Sequence, residues 1–226
     1  MGRHLSAPTR IQENLTARTE RRVLNWLCAR LPLWLTPDRL TAIGFVGAVL
    51  VAIGYVMSNF GREWLLLALF GFFLNWFGDS LDGSIARYRK IERPNYGYFI
   101  DHSLDALANM LLVLGMGLSP YLRMDTALLG LVGYLLLSVH TFISARIFGV
   151  FQLSYLGGGP TEMRLALMAM TGAMFWLGPE TWVLWPVGGL MFSPFDVFVC
   201  GLGVLLTGIF VFQTIKTGAV LFKKGG

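Results

Sequence analysis

Charged residues are scarce in this sequence, and so are cysteines. Only 14% of the 226 residues are Asp, Glu, Lys or Arg, while 55% are hydrophobic. A typical soluble domain carries about 25% charged residues, so this balance excludes an ordinary water-soluble domain. Two cysteines, Cys28 and Cys200, are too few for a disulfide framework. The first thirty residues hold arginines and glutamates but no apolar core, so no cleavable signal peptide is expected. The net charge of +5 reads as membrane topology and attraction to anionic lipid headgroups. No nucleic-acid partner is expected from it.

What the sequence has instead is apolar length. Six segments stand out: Leu40–Phe60, Trp64–Asp79, Tyr98–Leu118, Thr126–Phe148, Met163–Leu177 (with a continuation toward Leu190) and Phe195–Ile215. Most reach the ~20 residues that a bilayer core requires, and the second does so if its helix continues to Arg87. The expected fold is an all-α integral membrane protein with six transmembrane helices. Residues 1–37 form an N-terminal segment whose basic amphipathic helix, drawn over Ile11–Leu33, lies in the interface plane. Residues 38–226 form the transmembrane domain. With both termini cytoplasmic, only Arg62 and Arg123 fall on the outer side, which is the positive-inside arrangement. Thr36 or Asp38 is the expected cap of the first span, with Pro37 in its first turn. Gly44, Ala48 and Ala52 recur at four-residue spacing and allow close helix approach, within the fold or between protomers. Trp176, Trp182 and Trp185 suit interfacial anchoring.

Four acids interrupt these runs: Asp79, Asp82, Asp101 and Asp105. One acid at membrane depth costs roughly 2.5–3.5 kcal/mol on insertion scales, so four together need a counter-charge. Asp79 and Asp82 are three residues apart, and Asp101 and Asp105 four, so on helices each pair projects from one face. Two such faces opposed form a cage of carboxylate oxygens. Hard divalent cations choose that environment, magnesium above all where substrate phosphates complete the shell, with manganese as an alternative. Two ions held this way suit phosphoryl-type displacement, and a carboxylate with spare capacity can take the proton of an attacking hydroxyl. The neighbours suit a phosphate ligand. Gly83 permits close approach to the backbone, Ala86 keeps the same helical side small, Arg87 supplies a guanidinium fork, and Gly97 removes bulk before Asp101. An EF-hand is excluded, because the alternating acids and the closing Glu are missing. His140 reads as a hydrogen-bonded packing residue. The segment Leu156–Arg164 reads as a cytoplasmic loop: Thr161 or Glu162 caps the next helix, Glu162 pairs with Arg164 or a neighbouring Arg, or the loop closes on substrate with Glu162 and Arg164.

The pattern Asp79-x2-Asp82-Gly83-x2-Ala86-Arg87-x9-Gly97-x3-Asp101-x3-Asp105 fixes eight positions over 27 residues. It resembles the signature of the CDP-alcohol phosphotransferases, integral membrane enzymes that make phospholipids by displacing CMP from a CDP-linked donor. The resemblance extends to the six-span layout, the N-terminal helix and the segment Pro37-Asp38-Arg39-Leu40-Thr41. It implies that Asp79, Asp82 and Asp101 hold two metal ions, and that Asp105 completes the second site and acts as general base. It implies a CDP pocket lined by Gly83, Ala86, Arg87 and Gly97, a lipid or polar-alcohol acceptor, and a homodimer. Two positions depart from the family pattern: the gap after Arg87 is nine residues rather than eight, and Asp38 stands where Asn is usual. Asp101-His102-x2-Asp105-Ala106-Leu107 and Gly159-Pro160-Thr161-Glu162 are similar to the choline/ethanolamine branch, which pairs a CDP-choline-type donor with diacylglycerol. The other branch pairs CDP-diacylglycerol with a small polar alcohol. Intramembrane prenyltransferases, whose acidic motifs lie on well-separated spans, and cation or proton transporters are the competing classes.

Overall fold

The structure, a computed structural model, describes residues 9–11, 17–152, 159–179, 185–187 and 189–223. The first helix is α1 (Ala17–Cys28). Leu24 and Cys28 are buried in a cluster with Leu40, Leu81 and Ile85, while Arg18, Arg21, Arg22 and Trp26 are exposed. Burial raises the Cys28 thiol above its ordinary pKa, with Arg89 and Arg87 pulling the other way. It is therefore a packing residue and a poor nucleophile. The helix is shorter than Ile11–Leu33. On its C-terminal side Pro32 cannot continue a helix, and the Arg89 guanidinium donates to the carbonyls of Leu31 (3.0 Å), Pro32 (2.9 Å) and Leu35 (2.7 Å) in the stretch that follows. On the N-terminal side, β1 (Thr9–Ile11) pairs in parallel with β2 (Val150–Gln152). Residues 12–16, with Glu13 and Leu15, lie outside the described residues.

The apolar runs fold as helices that end where their capping residues say. α2 (Pro37–Met57) opens with Pro37 in its first turn, and the Thr36 side chain accepts from the Arg39 amide at 3.4 Å. α3 (Trp64–Arg89) carries straight through the acidic motif and closes at Lys90, which is left-handed at φ 56°. α4 (Pro94–Gly117) opens on proline again. α5 (Met124–Phe148) closes at Gly149, φ 69°. α6 (Pro160–Leu177) stops at Gly178, φ 68°, so the fifth run does not continue as helix to Leu190. Pro179 cannot continue it. β3 (Trp185–Val187) and β4 (Leu190–Phe192) then form an antiparallel hairpin before α7 (Pro194–Lys223). Trp176 is exposed at the end of α6, and Trp182 lies outside the described residues.

Five of the described helices, α2 to α5 and α7, are long and apolar enough to cross a membrane. Their outward faces carry Val46, Ile53, Phe70, Val132, Val139 and Phe212, all exposed. An apolar exterior on so many helices belongs to a multi-pass membrane protein. α6 is 18 residues long and carries Glu162 and Arg164 in its first turns.

The helices lie side by side in the order α6, α3, α2, α4, α5, α7, with α1 against α3. Lipid is as apolar as these side chains, so packing rather than water exclusion must hold them together. α2 and α3 meet backbone to backbone. A Cβ at Gly78 would fall 2.5 Å from Gly44 Cα, and one at Gly47 would fall 2.6 Å from the Gly71 carbonyl oxygen. Asn75 Nδ2 donates to the Gly44 carbonyl at 3.0 Å across the same seam. The small-residue stripe therefore works within the fold: Gly44 faces α3, Ala48 is buried in the central cluster, and Ala52 backs onto Gly115 of α4. Tyr55, Phe72, Leu112, Met116 and Met174 fill the centre. Tyr55 Oη and Thr171 Oγ1, 2.6 Å apart, add one polar tie between α2 and α6. Such ties average about 0.6 kcal/mol in membranes, so close packing dominates. At the opposite end from the acids, buried Asp196 accepts from the Ser193 amide and hydroxyl, the Arg123 amide and Thr126 Oγ1, and joins the starts of α5 and α7.

Candidate active site and metal centre

A short connection joins α3 to α4, so the two acid pairs lie at matching depths. At 1.5 Å rise per residue, Asp82 and Asp101 sit about 10 Å from the adjoining helix ends, and Asp79 and Asp105 about 15 Å. α3 and α4 pack chiefly on α2 rather than on each other. They are held apart by α2, and the carboxylates reach across the gap. Oxygens of Asp79, Asp101 and Asp105 all lie within 4.8 Å of one another. Oxygens sharing one hard cation at its usual 2.0–2.6 Å bond lengths are at most about 5 Å apart. The donor set therefore fits a divalent ion in both chemistry and spacing.

Asp82 lines the same small cavity, walled by α2, α3 and α4, but stands apart from that triplet. It is buried, accepts from Thr41 Oγ1 at 2.6 Å, and takes a short bond from the Gly83 amide. Asp79 is met from the other side by Arg164 of α6, whose Nη2 lies 2.6 Å from Asp79 Oδ2 with both side chains largely buried. Arg164 is one of the counter-charges that the acids require. A single guanidinium balances one carboxylate of four, and the remaining negative charge favours a bound cation.

The phosphate-ligand candidates lie between the acids and the helix ends. Gly83 faces the Arg87 guanidinium, and a Cβ there would fall 3.3 Å from Arg87 Nη1. Ala86 is half-buried; Arg87 is exposed, with Nη2 3.4 Å from Ser84 Oγ. Gly97 on α4 is exposed, with open space where a Cβ would stand. Glu162 does not pair with Arg164: its Oε2 accepts from the Gly159 amide at 3.0 Å and caps α6, while Arg164 turns to Asp79. Gly157 and Gly158 lie outside the described residues. His102 stacks on Tyr98 and meets Phe142 edge-on; its Nδ1 lies 3.0 Å from the Tyr98 carbonyl and 3.5 Å from Asp101 Oδ2. His140 is a packing residue, 3.3 Å from Thr217 Oγ1 and edge-on to Phe210.

Three contributors to the site were not expected as such. Thr41 holds Asp82. Asn109 Nδ2 donates to the Asp105 carbonyl (2.8 Å) and to Tyr134 Oη (3.2 Å), which braces α4 against α5 behind the cluster. Glu20 of α1 accepts from Trp76, Ser80 and Thr161. A second, largely apolar cavity of about 450 Å³ lies between α1, α3 and α6, with Val23, Phe73, Leu165 and Met168 on its walls and Arg164 at its edge.

The family model described as CDP-alcohol phosphatidyltransferase matches residues 34–209. The chain belongs to this family. Among curated proteins, cholinephosphotransferase 1 of Danio rerio is 24% identical over 88% of this chain and 61% of its own length. The human cholinephosphotransferase 1 is 24% identical over 88% of this chain and 57% of its own. Archaetidylinositol phosphate synthase of Pyrococcus horikoshii is 33% identical over 47% of this chain and 53% of its own. The chain thus spans about half to three fifths of the length of these relatives.

Proposed function

We propose that this protein transfers a substituted phosphate from a CDP-linked donor to an alcohol hydroxyl and releases CMP. The observation that carries this reading is the convergence of Asp79, Asp101 and Asp105 in one cluster, with Asp82 beside it, on residues that also form the family's motif. Asp79, Asp82, Asp101 and Asp105 would hold two magnesium ions. Bound magnesium would neutralise the diphosphate and the charge that develops on departing CMP. The chain's own residues do the rest. Gly83 and Gly97 admit the nucleotide, Ala86 leaves room along the same helical side, and Arg87 binds the diphosphate with its fork. Asp105 accepts the proton of the acceptor hydroxyl as its oxygen bonds to phosphorus and the phosphorus–oxygen bond to CMP breaks. Arg164 balances Asp79, and its place beside the apolar cavity suits a lipid whose polar end lies at the cluster. Glu162 shapes the start of α6 and so this side of the substrate site.

The favoured donor is of the CDP-choline or CDP-ethanolamine type with a diacylglycerol-type acceptor. The cholinephosphotransferase relatives match 88% of the chain, and the Gly159-Pro160-Thr161-Glu162 segment is similar to that branch. CDP-diacylglycerol with a polar alcohol is the second reading, favoured by the archaetidylinositol phosphate synthase relatives, which match about half of the chain. Family membership favours both over a prenyltransferase or a transporter. In the membrane, α6 would make the sixth span, α1 would lie at the interface as part of segment 1–37, and 38–226 would form the catalytic domain. The termini and the active site would face the cytoplasm, and the protein would work as a homodimer in the cell or inner membrane.

The test is CMP release by purified protein with magnesium. It is offered CDP-choline or CDP-ethanolamine with diacylglycerol, or CDP-diacylglycerol with a panel of polar alcohols. Release with one donor class, abolished by chelation and restored by added magnesium, is the expected result. No release with any donor would remove the proposal.

A further inference from the structure

Glu20 is the one acid of α1, a helix that otherwise carries arginines, and the chemistry above makes no use of it. Its carboxylate gathers three neutral donors from two other helices. On α3, Trp76 Nε1 and Ser80 Oγ each donate to Oε1 at 3.1 Å. On α6, Thr161 Oγ1 lies 2.9 Å from Oε1 and 3.0 Å from Oε2. A carboxylate that takes its bonds from an indole and two hydroxyls is built into the packing rather than dissolved at the surface. Its partners have telling neighbours. Ser80 adjoins Asp79, and Thr161 precedes Arg164 by three residues, on the same face of α6.

α6 packs mainly on α3. Its described side-chain bonds to other helices are Thr171 with Tyr55 in its second half, Arg164 with Asp79, and Thr161 with Glu20 at its start. Arg164 therefore reaches Asp79 from a helix whose first turn is tied down by α1. We propose that Glu20 is a positioning residue: by holding Thr161 against Ser80 and Trp76, it sets the height and rotation of α6 at which Arg164 meets Asp79. The inference rests on the reading of the acid cluster as a phosphotransfer site, and it gives α1 a part in that site.

The test compares Glu20→Ala, Glu20→Gln, Arg164→Gln and the double variant Glu20→Ala/Arg164→Gln in the full-length purified protein. Two readouts are taken: kcat for CMP release, and amide hydrogen exchange of residues 160–166. Glu20→Ala should speed exchange in 160–166 while leaving α7 unchanged, and should lower kcat by about ten- to a hundredfold, the range a small misplacement produces. Glu20→Gln keeps a carbonyl acceptor and should stay within about threefold of wild type. The double variant should be no slower than Arg164→Gln alone, because Glu20 acts through Arg164. Unchanged exchange in Glu20→Ala, or losses that multiply in the double variant, would overturn the proposal. If wild type releases no CMP, the function falls and the exchange result alone decides the positioning role. If Glu20→Ala does not fold, Thr161→Val removes the same tie and is read by the same outcomes.

Discussion

Asp105→Asn is expected to fold like wild type and to lose at least about a thousandfold in kcat, within the range for removal of a general base that is also a metal ligand. The amide has nearly the same size and shape, and the backbone carbonyl at this position still accepts from Asn109, so α4 keeps its brace. What changes is chemistry. An amide cannot take a proton from an attacking hydroxyl, and its charge no longer contributes to a cluster in which Asp79, Asp101 and Asp105 lie within 4.8 Å. The check is CMP release together with thermal unfolding in the same detergent. Turnover within tenfold of wild type would show that another group takes the proton, with Asp101 the next candidate by position.

Gly78→Leu should produce the largest structural effect, and through it a loss of activity. At this position the added carbon meets backbone on the facing helix: the Gly44 amide and Cα and the Leu40 carbonyl. A flexible side chain can swing aside, but two helix backbones cannot. Overpacking costs typically 1–3 kcal/mol, and this case belongs at about 3 kcal/mol or above. The seam also builds the site, since Gly78 immediately precedes Asp79 and a Cβ at Gly44 would already fall 3.1 Å from the Asp79 amide. Forcing α2 and α3 apart moves Asp79 away from Asp101 and Asp105. A control is Gly201→Ala on α7, where the added carbon meets nothing within 4 Å; it should leave stability and turnover unchanged. A Gly78→Leu protein with wild-type melting and turnover would mean that the α2–α3 contact is looser than described.

Much of this was legible in the residues themselves. The opening of α2 followed from local chemistry, Thr36 with Pro37, whereas the continuation of the fifth run toward Leu190 passed over Gly178 and Pro179, where α6 stops. The acid pairs were legible because three- and four-residue spacing fixes a helix face. Spacing does not say which helix that face will meet. So Arg164, read as a local partner of Glu162 or a substrate-loop residue, instead crosses 85 positions to Asp79. Likewise Thr41 reaches Asp82 across 41 positions, and Glu20 reaches Thr161 across 141. The N-terminal helix was overdrawn for a related reason. The carbonyls of Leu31, Pro32 and Leu35 are captured by Arg89, more than fifty residues away, and the local signal, Pro32 inside the drawn helix, was passed over. One hint was present for Glu20: the one acid on a strongly basic helix has no arginine three or four residues away to pair with.

We propose that Asp79, Asp82, Asp101 and Asp105 together hold two divalent cations poised for a nucleotide diphosphate. Manganese binding followed by electron paramagnetic resonance, with and without CDP, tests it most directly. With CDP present, two ions per chain should bind, with the spectral broadening of a pair about 3.5–4 Å apart, and Asp101→Asn should abolish the pair while leaving the fold intact. Absence of bound manganese in wild type, or binding that Asp101→Asn and Asp79→Asn leave unchanged, would contradict it.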